Sequence, residues 1–183
     1  MSGDLFVTGT DTNVGKTVLS ALLVCALDGI YWKPIQTGVT DGTDRETVMR
    51  WAAVAEDRTV KECYRFNPPV SPHLAAAAVG ATIDLALIRR PPAVASKPLI
   101  VEGAGGVCVP VNDSQFILDL ICQLGMPVVV AARTALGTIN HTTLTVRELR
   151  RAGAAVKGVV MIGNENKDNE RSIEKFAAVP VIG

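Results

Sequence analysis

The chain has 183 residues, a usual length for one domain, and 18 Lys plus Arg balance 18 Asp plus Glu, so its net charge is zero. That balance supplies no basic stripe for nucleic acid and no Lys/Arg-rich amphipathic stretch for a membrane surface. The start, Met1-Ser2-Gly3-Asp4, has no basic leader segment, and the apolar run 18–27 is about half the ~20 residues of a membrane span, so a cytoplasmic protein is expected.

In chain order, residues 5–7 read as a strand. Residues 16–27 follow as a helix, apolar nearly all round and therefore expected to be buried. Tyr31-Trp32-Lys33 reads as a strand ending at Pro34. Residues 44–55 form a helical pattern with Val48, Trp51, Ala52 and Ala55 on one face and Asp44 placed to cap it. Pro68-Pro69 and Pro91-Pro92 mark loops around an Ala-rich helical stretch. Then come a strand at 99–101, a helix at 114–124, a strand at 128–132 and a helix at 139–152 ending at Gly153. A strand at 159–162, a charged run at 164–175 that leads into a solvated helix, and a strand at 179–182 complete the chain.

These strand runs are rich in β-branched residues and do not alternate, as strands do when both faces are covered. The order predicts an α/β fold of three layers, a mostly parallel sheet flanked by helices, as one domain over 1–183. The four cysteines, Cys25, Cys63, Cys108 and Cys122, have no CxxC spacing and are expected as buried free thiols.

The strongest local signal is Gly9-Thr10-Asp11-Thr12-Asn13-Val14-Gly15-Lys16-Thr17, between the first strand and the first helix. That is the context of a P-loop. Successive backbone N–H groups and the helix N-terminus make a positive concavity for phosphates. Lys16 would reach the β- and γ-phosphates, and the Thr17 hydroxyl would ligate Mg²⁺. The usual spacing is GxxxxGK followed by Ser or Thr; here five residues separate Gly9 from Gly15, and Thr10 stands where the first Gly normally does.

Lys33 ends the second strand, and ligands of a doubly wound sheet gather at the carboxyl ends of strands. Lys33 is therefore expected in the same crevice as Lys16. Glu102 ends the strand at 99–101 and leads into Gly103-Ala104-Gly105-Gly106, the Walker-B arrangement, which usually uses Asp. Asp44, or alternatively Asp41, follows Thr37. Mg²⁺ takes six oxygens, often one or two carboxylates plus phosphates and waters, so Thr17, Asp44 and Glu102 form a candidate metal set. His73 and His141 sit in no metal-ligand pair and read as structural.

The P-loop nonapeptide, Lys33-Pro34-Ile35-Gln36-Thr37-Gly38, Ser71-Pro72-His73-Leu74-Ala75-Ala76, Val101-Glu102-Gly103-Ala104-Gly105-Gly106 and Leu136-Gly137-Thr138-Ile139-Asn140-His141-Thr142 occur in this order. Together they resemble the dethiobiotin synthetase family over nearly the whole chain. The resemblance implies a P-loop NTPase fold and a homodimer with its substrate site at the subunit interface. It implies ATP with Mg²⁺, CO₂ and 7,8-diaminononanoate as reactants, and dethiobiotin, ADP and phosphate as products of a step in biotin synthesis. One amine would become a carbamate, the carbamate oxygen would attack the γ-phosphate, and the second amine would close the ring on the mixed anhydride.

Carried onto this chain, the resemblance makes Lys16, Lys33 and Thr12 catalytic. Asp11, Thr12, Asn13, Val14, Gly15, Lys16, Thr17, Val18 and Glu102 would hold ATP. Asn164 or Asn166, with Val181, would meet the base. Thr37, Gly105 and Gly106 would hold the substrate, and its carboxylate would meet Leu136, Gly137, Thr138 and Asn140 of the neighbouring subunit. Asn13 stands where many members carry an acidic residue, the connection before Tyr31 is short, and members often continue past the position of Gly183. The competing reading is a partitioning-type P-loop ATPase switch that binds DNA or membrane. Such switches usually carry an extra lysine early in the loop, where this chain has Thr10-Asp11-Thr12-Asn13.

Overall fold

The computed structural model describes residues 3–40, 42–91 and 97–183; Asp41, the alternative metal carboxylate, and Pro92 lie outside them. Six strands form one parallel sheet in the order β4-β2-β6-β1-β7-β8: Thr59–Val60, Ile30–Trp32, Leu99–Gly106, Leu5–Gly9, Val128–Arg133 and Val156–Ile162. β3 (Ile35–Thr37) and β5 (Tyr64–Phe66) pair separately, also in parallel. Helices α1 (Lys16–Ala26), α2 (Asp44–Ala52), α3 (Pro72–Ala77), α4 (Ile117–Leu124), α5 (Thr138–Arg151) and α6 (Lys167–Ala177) cover the sheet.

Successive strand residues point to opposite faces, so each central strand feeds two cores. Val7, Ile100 and Val129 pack with Leu19 and Val24 of α1 and Val48 of α2. Phe6, Val101 and Val128 pack with Ile117 of α4, Val146 and Leu149 of α5 and Ile173 of α6. This is the expected three-layer α/β arrangement. β1 lies between β6 and β7, so the loop after β1 opens where the chain order reverses, the usual ligand position in such sheets. No helix among the described residues is long and apolar enough to cross a membrane.

Several elements differ from the sequence reading. β6 continues through Glu102 to Gly106, because the glycines let its end pair with β1 at Gly9. α1 is not buried all round: Leu19 and Val24 face the sheet, while Val18 and Leu22 are exposed. α2 stops at Ala52, since Ala53 takes the left-handed conformation at φ 51°, and only Val48 of its apolar set is buried. Its cap is Thr43, which accepts from the Glu46 N–H in a capping box; Asp44 is the first helical residue and is released from that duty. The Ala-rich stretch is helical only over α3, followed by a short 3-10 turn at Leu85–Leu87.

Residues 179–182 add only a bridge from Val181 to Val159, because Pro180 has no N–H to extend the ladder. β3, β4 and β5 were too short to stand out by pattern. The cysteines are free but exposed rather than buried. Cys25 and Cys122 lie on the outward sides of α1 and α4, and Cys63 and Cys108 sit in a bend and a turn.

Candidate active site

The loop from Gly9 to α1 is shaped by residues that accept positive φ. Asn13 has φ 56° and Gly15 has φ 96°. Asparagine tolerates the left-handed region better than most side chains, which gives Asn13 a backbone role. A Cβ on Gly15 would lie 2.8 Å from Ile162 of β8, so glycine is required there on two counts. The Lys16 ammonium folds back and donates to the Asp11 carbonyl at 2.8 Å. Arg133, at the end of β7, donates to the Asp11 carboxylate at 2.9 Å and steadies the outer half of the loop.

Beneath the loop lies the centre of the site. Glu102 is 1% exposed and accepts three hydrogen bonds. The Thr17 hydroxyl donates to its Oε1 at 3.0 Å, the Lys33 ammonium donates to the same oxygen at 3.0 Å, and the Tyr31 hydroxyl donates to Oε2 at 3.0 Å. Lys33 also donates to Asp44. Gln36, itself buried, accepts from the Asp44 backbone N–H at 3.2 Å and fixes the start of α2. Four segments of the chain thus meet at one charge cluster.

The charges set the proton affinities. Burial pushes the Lys16 ammonium down to about 8, and the nearby Lys33 cation adds to that fall. Burial alone would lower Lys33 too, but the Glu102 and Asp44 carboxylates outweigh it and hold its pKa above the ordinary value. Burial, with the Glu102 charge beside it, pushes the Tyr31 phenol well up, so it remains a donor.

An open cleft of about 580 Å³ covers this cluster. It brings together Thr12, Asn13, Gly15, Lys16, Thr17, Val18, Lys33, Thr37, Asp44, Glu102 and Gly105 of the residues expected from sequence. Asp11 and Gly106 instead line an adjoining groove beside His141 and Leu144 of α5. Val14 is buried beneath the loop. Leu136 is fully exposed, Gly137 takes φ 96° at the N-cap of α5, Thr138 is buried and Asn140 is exposed; none of the four lines the cleft. A further hollow at the end of β8 contains Asn166 and Val181 with Glu165 and Lys167. Asn164 stands outside it, and the Asn166 side chain also caps α6 by accepting from the Asn169 N–H.

Tyr31, Gln36 and Ser71 escaped the sequence reading. Tyr31 had a usable signal: in a strand, residues two apart share a face, so Tyr31 lies on the same side as Lys33. Gln36 and Ser71 had none beyond their places in the ordered motifs.

Thr17, Asp44 and Glu102 could hold a divalent cation. The Asp44 and Glu102 carboxylates share the Lys33 ammonium, and the Thr17 hydroxyl bonds the same Glu102 oxygen. That donor set suits an ion whose remaining oxygens come from phosphates and water.

Replacing Tyr31 by Phe strips the donor from a buried carboxylate oxygen, and we expect unfolding stability to drop by about 1–3 kcal/mol in urea titrations. Unchanged stability would remove Tyr31 from this network. The lowered Lys16 pKa has a definite sign. Between about 8 and 10.5 the unfolded chain holds the proton that the folded chain has lost, so this group's contribution to stability rises with pH across that window. Phosphate binding favours the charged form, so nucleotide binding near pH 9 should take up close to one proton. Calorimetry in buffers of different ionisation enthalpy measures that uptake, and zero uptake would contradict the assignment.

A family profile described as an AAA domain matches residues 3–183. An ATP-dependent dethiobiotin synthetase BioD from Nitrobacter hamburgensis is 49% identical over 183 residues, all of this chain and 85% of that protein. The proteins of the same name from Bradyrhizobium sp. and Rhodopseudomonas palustris are 47% and 46% identical over the whole chain, which covers 87% and 85% of them. Among solved structures, a ParA family ATPase from Chlorobium tepidum superposes with a TM-score of 0.51 at 10% identity, covering 99% of this chain and 83% of that one. That likeness reports the P-loop fold alone. The identities over the full length and the ordered phosphate-site motifs lead to one family: the chain belongs to the ATP-dependent dethiobiotin synthetases.

Proposed function

We propose that the cleft carboxylates and cyclises 7,8-diaminononanoate with CO₂ and ATP, giving dethiobiotin, ADP and phosphate. The observation that carries this reading is the convergence of Lys16, Lys33 and the Glu102–Asp44–Thr17 set in one cleft. The substrate class comes from the family.

The chemistry explains the charge pattern. A neutral amine attacks CO₂ and loses a proton, giving a carbamate. A carbamate oxygen then attacks the γ-phosphorus while the bond to ADP breaks. The second amine attacks the carbonyl carbon of the resulting mixed anhydride, phosphate leaves, and the ring closes. The second step joins two anions, which repel by about 4 kcal/mol at ~4 Å and an effective dielectric of 20. That repulsion alone would slow the step by about three orders of magnitude. Cationic side chains aimed at the transferring group offset it and cost no reorganisation during reaction.

In this reading Lys16 and the loop N–H groups from Asp11 to Val18 hold the phosphates, and Thr12 and Lys33 meet the transferring group. Mg²⁺, held by Thr17, Asp44 and Glu102, would neutralise charge on the β- and γ-oxygens. Thr37 meets the carbamate end, and Gly105 and Gly106 contact the substrate. The base lies in the hollow with Val181 and Asn166, Asn164 being the alternative contact. The substrate carboxylate meets the start of α5 from a second copy, where Leu136, Gly137, Thr138 and Asn140 present a helix N-terminus. The exposure of Leu136, and the fact that the start of α5 does not line its own cleft, support this homodimeric arrangement. Residues 1–183 act as a single P-loop unit in the cytoplasm.

Phosphate release should require both diaminononanoate and bicarbonate, and should be indifferent to DNA and lipid vesicles. Hydrolysis stimulated by DNA or vesicles, with no response to the diamine, would shift the assignment to the partitioning-type switch.

A further inference from the structure

The cluster under the P-loop already holds a cation. The Lys33 ammonium donates to both Asp44 and Glu102, and its side chain is only 7% exposed. The Thr17 hydroxyl spends its proton on the same Glu102 oxygen that Lys33 uses. The oxygens assigned above to the metal are therefore satisfied without one. We propose that Lys33 is the resident counter-ion of this site, that a divalent cation arriving with nucleotide displaces it, and that the displacement delivers Lys33 to the transferring phosphoryl group.

The inference rests on the metal and phosphate roles proposed above. Its physical basis is charge and reach. Two carboxylates and one ammonium leave the site at −1. A divalent ion beside the same carboxylates brings it to zero, and the ammonium then has no reason to remain. Like charges at ~4 Å repel too strongly for both cations to share the oxygens. Conversely, Lys33 cannot leave unreplaced, because Glu102 would become a buried, uncompensated charge. Its backbone is held beside β2 while the flexible four-carbon stem lets the head swing. Thr37, Ser71 and Gly105 line the same cleft as Lys33. Nucleotide without metal meets a lysine still tied down, so the second phosphoryl-stabilising charge is supplied only when the metal is present. A single residue thus offsets half of the carboxylate charge in the empty site and couples metal arrival to readiness for phosphoryl transfer.

The test is Mn²⁺ uptake by the nucleotide-free protein, read from loss of the aqueous-ion signal in electron paramagnetic resonance. Wild type should bind weakly, whereas Lys33→Met should bind at least about tenfold more tightly because the competing charge is gone. Adding Asp44→Asn to that variant should reverse the gain. Lys33→Gln keeps an N–H donor for the carboxylates and serves as the folded, uncharged comparison; it should also gain affinity. Equal Mn²⁺ affinity in wild type and both Lys33 variants would overturn the exchange. Wild-type turnover that ignores the diamine would instead sink the proposed function. The two failures are read on different samples and cannot be confused.

Discussion

A single buried carboxylate organises this molecule. Glu102 sits in mid-sheet on β6, 1% exposed, and such a charge is tolerated only when its oxygens are satisfied. The donors come from α1, from β2 and from the residue that follows β2, through Thr17, Tyr31 and Lys33. Satisfying Glu102 therefore locks the first turn of the P-loop helix against two strands. Asp44 joins through Lys33, and Gln36 fixes Asp44 in turn. The fold's central polar network and the proposed catalytic network are one object.

That economy has a functional consequence. Members of this family are nucleotide-dependent ligases, and the proposed chemistry requires two anions to touch. A fold that gathers ammonium groups around a buried carboxylate has positive charge in reserve beside a phosphate cradle. Lys16 is held short of full basicity by burial and by Lys33, so each cation feels the other before any ligand arrives. A polyphosphate beside Lys16 offsets the burial and the Lys33 charge that depress its proton affinity, which favours binding of the charged reactant. No acid–base histidine is needed among these groups.

Much of this was readable from residues alone, and the reasons are physical. The P-loop, the apolar strands and the parallel sheet are local patterns that tertiary context does not overturn. Lys33 is locatable because strand ends converge at a topological switch, and Glu102 because an acidic residue closes the apolar run 99–101. Tyr31 was missed because a tyrosine in an apolar strand reads as core, and only its face, shared with Lys33, betrays its partner. Thr43 and Asp44 both suit an N-cap by residue type, and Thr43 takes it. The all-apolar α1 was expected to be buried, yet the sheet covers one stripe and leaves Val18 and Leu22 out. Periodicity cannot report how many neighbours a helix will have. The short strands β3, β4 and β5 carry too few residues for any period to show.

In the proposed reaction a carbamate and a γ-phosphate meet among these cations. Turnover with ¹⁸O-labelled CO₂, followed by mass analysis of the released phosphate, tests it most directly. Attack by the carbamate oxygen places one labelled oxygen in each phosphate formed. Phosphate that takes its new oxygen from water would mean that the nucleotide is hydrolysed without ever being joined to the carboxylated amine, and the account would be wrong.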